Sequence, residues 1–257
     1  MSIETLKYLQ NTKNKTINMC DYFILAKPHN LQTDIDTENN IISLATGKIY
    51  ILPKINLHYY TNNGLFEKHL IEWCKQFCYT SKNMLDLGAH CGTYAISLSG
   101  FCNHIYAFEP QKMTYYSFCG GVALSNIRNI TCINTGLGSP EQVGIQRLNI
   151  ISSDGGGSTL HANHLHNDSK VITTEEIEIK TLDSYNIENI SFIKMDVENN
   201  ELQILMGATE TLRKSDYPKI LFEMNSPNKA LIDFLENLKY KIIQLHNCNN
   251  MYLASIV

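Results

Sequence analysis

Two acidic residues and two glycines between residues 86 and 109 have a spacing that could bind a ligand. Asp86, Gly88 and Gly92 form an Asp-x-Gly-x-x-x-Gly turn after a short apolar run, and Glu109 follows Gly88 by 21 residues. A glycine lets the chain turn tightly and lets a ligand approach the backbone, and a carboxylate at this distance can accept both hydroxyl protons of a ribose. The spacing therefore predicts half of a mononucleotide-binding unit.

The residues inside the turn discriminate between two classes of cofactor. A dinucleotide such as NAD needs Gly-x-Gly-x-x-Gly, so that backbone amides can hold its pyrophosphate, but His90 occupies the second glycine position. Asp86 would also repel a pyrophosphate. S-adenosylmethionine (SAM) carries a sulfonium, an ammonium and a ribose but no phosphate. The turn therefore favours a methyl donor over a hydride carrier.

The flanking sequence supplies the elements that must position these residues. Apolar residues at helical spacing predict helices over residues 65–77, 112–125, 200–213 and 227–238. Asn62-Asn63-Gly64 would form the entry of the first helix, Gly120-Gly121 would weaken the second, and Pro227 would lie in the first turn of the last. Short apolar and β-branched runs predict strands at 83–87, 105–109, 130–134, 190–195 and 219–223, with a closing antiparallel hairpin of 241–245 and 252–256.

These elements predict the fold class. Because β-α-β crossovers make neighbouring strands parallel, we expect an α/β fold with a Rossmann-like, seven-stranded, mainly parallel sheet and helices on both faces. Residues 58–257 would form this domain. Residues 1–57, with strand-like runs at 22–25 and 48–52, are interpreted as an N-terminal extension or cap. Residues 135–180 interrupt the alternation with a long connection, which we expect to be an insertion near the substrate side.

Composition excludes several classes of protein. The formal net charge is −4, from 21 basic and 25 acidic residues, and the chain has no basic run that would follow a phosphate backbone, so nucleic acid is not the expected partner. No apolar run reaches the roughly 18 residues of a membrane span, and the N-terminus lacks the pattern of a signal peptide, so we expect a cytoplasmic protein. The eight cysteines form no Cys-x-x-Cys pair and are expected to be buried free thiols.

Four motifs follow one another in the order typical of a known family. They are Asp86-Leu87-Gly88-Ala89-His90-Cys91-Gly92, Tyr106-Ala107-Phe108-Glu109-Pro110, Thr181-Leu182-Asp183, and Ile193-Lys194-Met195-Asp196-Val197-Glu198 followed by Glu201. These motifs resemble those of the FkbM-family SAM-dependent methyltransferases. The resemblance covers about residues 65–223. It implies the class I methyltransferase fold and O-methylation, commonly of sugars or hydroxylated natural products.

Two positions depart from the family pattern. Asn199 stands where the family usually has a glycine after Asp-Val-Glu, and His90 replaces the family's asparagine. Asparagine tolerates left-handed backbone angles better than most residues, so we expect the turn at Asn199 to persist.

The carboxyl ends of parallel strands meet at one edge of a sheet, so we expect the polar residues at these ends to converge on one crevice. The residues predicted to bind SAM are Glu67, Asp86, Gly88, Ala89, His90, Gly92, Thr93, Glu109, Pro110, Asn134, Thr135, Gly136 and Asp196. The candidates for the base that removes the acceptor's proton are Asp196, Glu198 and Glu223. Helix capping is the alternative for Asp196 and Glu198, and a structural role for Glu223. Lys194 is expected to pair with these carboxylates.

Two groups of side chains have the composition of metal ligands, but no metal site is predicted. His161, His164 and His166 lie in the insertion without an identifiable further ligand, which favours a substrate-lid or solvent-exposed role. Asp196, Glu198 and Glu201 offer oxygen ligands for Mg²⁺ as an alternative. The leading hypothesis is a SAM-dependent O-methyltransferase that acts on a hydroxyl of a sugar or glycan. The alternatives are a methyltransferase for another small molecule or lipid, and a nucleotide-binding module without catalysis.

Overall fold

A computed structural model of the chain describes residues 22–27, 35–36, 41–42, 47–161, 170–246, 248 and 250–256. The strands are β1 (Tyr22–Lys27), β2 (Ile35–Asp36), β3 (Ile41–Ile42), β4 (Lys48–Pro53), β5 (Asn83–Leu87), β6 (Ile105–Phe108), β7 (Ile130–Ile133), β8 (Gly136–Leu137), β9 (Gly144–Ile150), β10 (Thr173–Lys180), β11 (Ile190–Met195), β12 (Lys219–Glu223), β13 (Tyr240–Gln244) and β14 (Met251–Ile256). The α-helices are α1 (Leu57–Asn63), α2 (Lys68–Cys74), α3 (Thr93–Leu98), α4 (Lys112–Leu124), α5 (Glu201–Met206), α6 (Thr209–Lys214) and α7 (Lys229–Asn237). Short 3₁₀ helices cover Lys54–Asn56, Lys75–Phe77, Ser99–Phe101, Pro140–Gln142 and Leu182–Tyr185.

The main sheet has seven strands in the order β13-β14-β12-β11-β5-β6-β7. Strands β12, β11, β5, β6 and β7 are parallel, and the hairpin β13-β14 is antiparallel. The central strands are mostly apolar and largely buried because helices cover both faces of the sheet, as the fully buried Met84 and Leu85 on β5 illustrate. The fold class predicted from the sequence is confirmed. The strand order reverses between β5 and β11, and ligands of such sheets bind at the carboxyl ends of the strands beside this point.

Residues 136–180 contain a separate small sheet. Its strands have the order β8-β10-β9, with β10 parallel to β8 and antiparallel to β9. Leu148, Ile150, Ile177 and Ile179 form its own apolar cluster. The segment predicted to be an insertion therefore carries a folded unit that can support a wall of the site.

Strand β4 packs on the main domain through helix α4. Tyr50 and Leu52 are buried in the same apolar cluster as residues of the main sheet. A β carbon built on Gly121 would lie 3.1 Å from the carbonyl oxygen of Ile49, so the Gly120-Gly121 pair allows a close approach of helix and strand. The pair does not interrupt α4, which runs unbroken from Lys112 to Leu124.

The helix predicted over residues 65–77 is wrong in its bounds. Asn62 and Asn63 end a separate helix, α1, rather than beginning the next one. Gly64 follows with φ +77°, an angle that glycine adopts without strain, and its N–H donates to the carbonyl of Tyr60 at the end of α1. Helix α2 then begins only after Glu67, whose φ is +53°, and its last turn is 3₁₀.

The single helix predicted over residues 200–213 is also wrong, since the chain forms α5 and α6. The break lies at Gly207, where a β carbon would lie 2.1 Å from the carbonyl oxygen of Gly138. Asp183 fixes the break from outside: its N–H donates to the Gly207 carbonyl, and its carboxylate accepts the N–H of Thr211 at 2.7 Å. The contacts that divide the helix are therefore remote in sequence.

The predicted start of the last helix needs a correction as well. Pro227 does not lie in the first turn of α7 but precedes its N-cap, Asn228. The Asn228 side-chain oxygen accepts the N–H of Leu231 at 3.1 Å, which places the helix start at Lys229.

Two further expectations concern the chain as a whole. The seven cysteines within the described ranges are free thiols, as predicted, but only four of them are buried, and Cys119, Cys132 and Cys248 are partly exposed; Cys20 lies outside those ranges. Nowhere in the described part of the chain is a helix both long enough and apolar enough to span a bilayer.

Candidate active site

A cavity of about 440 Å³ lies at the carboxyl ends of β5, β6 and β11, within the size range of small-molecule sites. The predicted site residues that line it are Glu67, Gly88, Ala89, His90, Thr93, Glu109, Pro110, Thr135, Gly136, Asp196 and Glu198. Four others, Asp86, Gly92, Asn134 and Glu223, are not among its lining residues. The strand ends therefore converge as the topology predicts, but four of the predicted residues do not line the cavity.

The glycine turn brings the ends of β5 and β11 together. Gly88 has φ +77°, and a β carbon on it would lie 1.9 Å from the carbonyl oxygen of Asp196. The N–H of Asp196 donates to the carbonyl of Leu87 at 3.0 Å. Glycine is thus required for contact between two backbone segments, in addition to any approach of a ligand. The turn fixes where Asp196 enters the cavity.

Glu109 at the end of β6 is the most enclosed carboxylate of the cavity. Its Oε2 accepts the N–H of His90 at 2.8 Å, and its Oε1 accepts the N–H of Gln111 at 2.9 Å. Burial raises its pKa from 4.5 to about 7, although both amides oppose this change. Asn134 donates to the carbonyls of Glu109 and Pro110, both at 2.9 Å, so it supports this strand end from outside the cavity.

Asp86 is buried behind the turn. Its Oδ2 accepts the N–H of Ala95 in α3 at 3.0 Å, and its Oδ1 has no hydrogen-bond partner among the described residues. Burial raises the pKa of Asp86 to about 6, and the positive charge of Lys194 partly offsets this increase. Lys194 itself lines the cavity and pairs with Asp196 at 3.3 Å, as the sequence predicted.

Glu198 lies in an unusual turn after β11. Both Glu198 and Asn199 have left-handed backbones, with φ +52° and +74°, so the expectation for Asn199 is confirmed. Such angles are uncommon in residues other than glycine and cluster at functional sites. Burial raises the pKa of Glu198 to about 7, and the negative charges of Asp196 and Glu201 add to this effect. The N-terminus of α5 receives no capping bond from the side chain of its N-cap residue, Asn200.

Three carboxylates cluster at the ends of β11 and β12. Asp196, Glu198 and Glu223 each offer an oxygen within 4.8 Å of the others. Glu223 also accepts a hydrogen bond from Asn225 at 2.8 Å. Burial and the charge of Asp196 raise the pKa of Glu223. Because close carboxylates disfavour one another's ionised forms, this clustering adds to the burial that raises the pKa of Glu198 and of Glu223.

The two candidate metal sets fare differently. Glu223, rather than Glu201, completes the acidic group that the fold brings together with Asp196 and Glu198. His164 and His166 lie outside the described residues, and the ring of His161 lies 3.2 Å from the side-chain oxygen of Asn200. That no metal site is assigned to either group stays a prediction.

His90 holds a loop of the insertion against the cavity. Burial lowers its pKa, which favours the neutral ring, and its Nε2 donates to the carbonyl of Asp154 at 2.7 Å. Asn56 binds the Asp154 carboxylate at 2.7 Å. Residues 154–158 line the cavity, and no sequence pattern indicates the contact of Asp154 with His90. The residue that departs from the family pattern thus has a structural partner.

Tyr94 and Glu67 form a second pair that pattern reasoning missed. The hydroxyl of Tyr94 donates to Oε2 of Glu67 at 2.8 Å, and the ammonium of Lys194 lies 5.1 Å from the centre of the Tyr94 ring. Tyr94 lies in the first turn after the glycine motif, where its apolar neighbours predict only a core position.

The charges of the lining residues fit a cationic cofactor. Among the described lining residues, five are acidic and Lys194 is basic; the acidic ones are Glu67, Glu109, Asp154, Asp196 and Glu198. Such a wall suits the sulfonium and ammonium of SAM and would repel a pyrophosphate. The acidic lining therefore fits the cationic SAM and does not fit a dinucleotide with its anionic pyrophosphate.

A family comparison supports the same conclusion. Residues 86–242 match the family model described as the methyltransferase FkbM domain. The chain belongs to the FkbM methyltransferase family. Membership assigns it to the SAM-dependent methyltransferases, and SAM is its cofactor.

Several solved structures are similar to this FkbM-family chain, and no curated protein sequence matches it. Methyltransferase FkbM from Methylobacillus flagellatus KT is 18% identical with a TM-score of 0.48; the match covers 69% of this chain and 44% of that one, so this chain spans less than half its length. A candidate methyltransferase from Streptococcus mutans, in complex with SAH, is 13% identical with a TM-score of 0.45, covering 73% and 94%. Precorrin-6y C5,15-methyltransferase from Geobacter metallireducens GS-15 is 12% identical with a TM-score of 0.47, covering 75% and 90%.

Proposed function

We propose that this protein transfers the methyl group of SAM to a hydroxyl group of a sugar or glycan. One observation carries the proposal: Asp196 and Glu198 line the same cavity as the Gly88 turn and Glu109. A cofactor-binding turn and a candidate base therefore share one enclosed volume, which transfer to a bound hydroxyl requires.

Each part of the cavity would hold a different part of SAM. Glu109 would accept the hydroxyl protons of the ribose, as a carboxylate after the second strand of such a unit does. The turn at residues 88–90 and the acidic side chains of Glu67 and Asp196 would hold the amino-acid end. When bound, SAM supplies a methyl carbon on a sulfonium, whose sulfur is an excellent leaving group.

The chain's own task is then to position the acceptor and remove its proton. Holding an acceptor oxygen in line with the methyl carbon can lower the barrier by about 7 kcal/mol or more. As the new O–C bond forms, the hydroxyl proton must pass to a base. We assign that base to Glu198, because its pKa near 7 suits proton transfer at neutral pH. Asp196 is the weaker candidate, since one of its carboxylate oxygens is engaged by the ammonium of Lys194 at 3.3 Å.

The remaining lining residues indicate the polarity of the acceptor. One wall of the cavity is apolar and comes from the small sheet β8-β10-β9, through Leu148, Ile177 and Ile179. Polar side chains such as Asn56 and Ser158 line the same cavity. A sugar has an apolar C–H face and an edge of hydroxyl groups, and both would find matching surfaces here. This mixture of surfaces supports a sugar acceptor over a uniformly apolar lipid.

Glu198→Gln tests the proposal. We expect the variant to bind SAM with an unchanged dissociation constant in a calorimetric titration, while methyl transfer to a panel of monosaccharides and glycans falls by about 10²-fold or more. Glu178→Gln is the matched control, because Glu178 is an exposed carboxylate of β10 that does not line the cavity. Methylation of a lipid or of a nitrogen atom, with no hydroxyl of the panel modified, would overturn the proposed acceptor class.

A further inference from the structure

Thr159 connects the insertion to the turn that carries Glu198. Its hydroxyl donates to the carbonyl oxygen of Glu198 at 2.8 Å. The same hydroxyl oxygen accepts the N–H of His161 at 3.1 Å. Because a carbonyl can only accept, the single proton of the Thr159 hydroxyl is committed to Glu198.

The insertion sheet holds Thr159 rigidly. Thr159 and Asn149 of β9 exchange two backbone hydrogen bonds, at 2.9 and 3.1 Å, in an isolated bridge. The Asn149 side chain adds a third bond to the Thr159 carbonyl at 3.1 Å. Thr159 is only 4% exposed. Its hydroxyl therefore occupies a fixed position relative to β9.

The turn that Thr159 contacts needs such external support. Glu198 and Asn199 are consecutive left-handed residues, and a strained backbone of this kind persists only where its surroundings hold it. Within the turn, Glu201 accepts the N–H of Asn199 at a long 3.3 Å. The bond from Thr159 is shorter and comes from a different element of the fold.

We propose that Thr159 is a positioning residue for methyl transfer, which holds the left-handed turn so that the Glu198 carboxylate faces the cavity. The inference rests on the proposed function, in which Glu198 removes the acceptor's proton. Thr159 is not among the lining residues of the cavity, whereas its neighbours Ser158 and Leu160 are. Its effect is therefore exerted through the Glu198 backbone and not through contact with a ligand.

The test compares Thr159→Val, which keeps the shape but removes the hydroxyl, with Thr159→Ser, which keeps the hydroxyl. In Thr159→Val we expect kcat to fall about tenfold, with the SAM dissociation constant changed less than about twofold. The pH profile of kcat should also shift to lower pH, because a relaxed turn lets water reach the Glu198 carboxylate. Thr159→Ser should restore both kcat and the profile. A merely structural role would not move the profile.

The outcomes separate this inference from the proposed function. Full activity in Glu198→Gln would show that Glu198 is not the base, and the positioning role of Thr159 would then be overturned as well. If Glu198→Gln is inactive but Thr159→Val keeps the wild-type kcat and pH profile, only the role of Thr159 is overturned. Equal losses in Thr159→Val and Thr159→Ser would also overturn it, since the hydroxyl would then not matter. Should Thr159→Val not fold, Thr159→Ala against Thr159→Ser makes the same comparison.

Discussion

Replacing Gly88 by alanine would separate the two strand ends that build the site. The added β carbon would lie 1.9 Å from the carbonyl oxygen of Asp196 and 3.0 Å from its carbonyl carbon. The obstacle is backbone, and it is held in place because Asp196 N–H donates to Leu87. Neither segment can give way without breaking the contact between β5 and β11.

The expected loss of stability from Gly88→Ala has two parts. A left-handed backbone costs an L-residue about 1–2 kcal/mol, and overpacking at a tight contact costs about 1–3 kcal/mol. The free energy of unfolding should therefore fall by about 2–5 kcal/mol. Displacement of Asp196 should also weaken SAM binding at least about tenfold, which corresponds to about 1.4 kcal/mol.

Urea unfolding and a calorimetric SAM titration measure both effects of Gly88→Ala. Gly100→Ala is the matched control, because a β carbon on Gly100 meets nothing within 4 Å and its φ is not in the left-handed region. The control should retain wild-type stability and affinity. A Gly88→Ala protein as stable as the wild type, with an unchanged dissociation constant for SAM, would refute the close backbone contact.

Two further predictions concern the buried carboxylates. Glu109→Ala should weaken SAM binding by about 100-fold, because charge-assisted hydrogen bonds to the ribose are lost. Glu175→Ala is the control: it removes only the carboxylate that accepts the Lys112 N–H, and SAM binding should stay unchanged. Burial raises the pKa of Asp86 and Glu109 to about 6 and 7, so the folded ligand-free protein binds more protons than the unfolded chain. The contribution of these two groups to the free energy of unfolding is fully present below about pH 4 and is lost as pH rises through about 6–7. We therefore expect Tm to fall between about pH 5 and pH 8. A Tm that rises over this range would contradict the burial of the two carboxyl groups.

The strand-turn-helix-strand unit from Asp86 to Glu109 was predictable from sequence because its determinants are local. A buried apolar run, a glycine turn and a second strand specify one another within a short stretch, and the strand order then follows from the crossovers. The left-handed angle at Asn199 was predictable because the family that the sequence resembles usually has a glycine there, and asparagine tolerates the same angles better than most residues.

The errors arose where remote contacts decide the local structure. Periodicity predicted one helix after β11, but the carbonyl of Gly138 and the side chain of Asp183 divide it at Gly207. No local pattern could reveal that His90 would meet Asp154 of the insertion. Asp86 likewise lies at a sequence position typical of a cofactor contact, but in the fold its carboxylate accepts the N–H of Ala95.

We propose that this FkbM-family protein methylates a hydroxyl group, with Glu198 as the base. The most direct measurement incubates the wild type and Glu198→Gln with SAM and the glycan panel and locates the new methyl group by mass spectrometry and NMR. We expect an O-methylated product from the wild type and, from a Glu198→Gln protein that still binds SAM, a rate lower by about 10²-fold or more. Transfer by Glu198→Gln at the wild-type rate, or a methyl group on nitrogen or carbon, would contradict it.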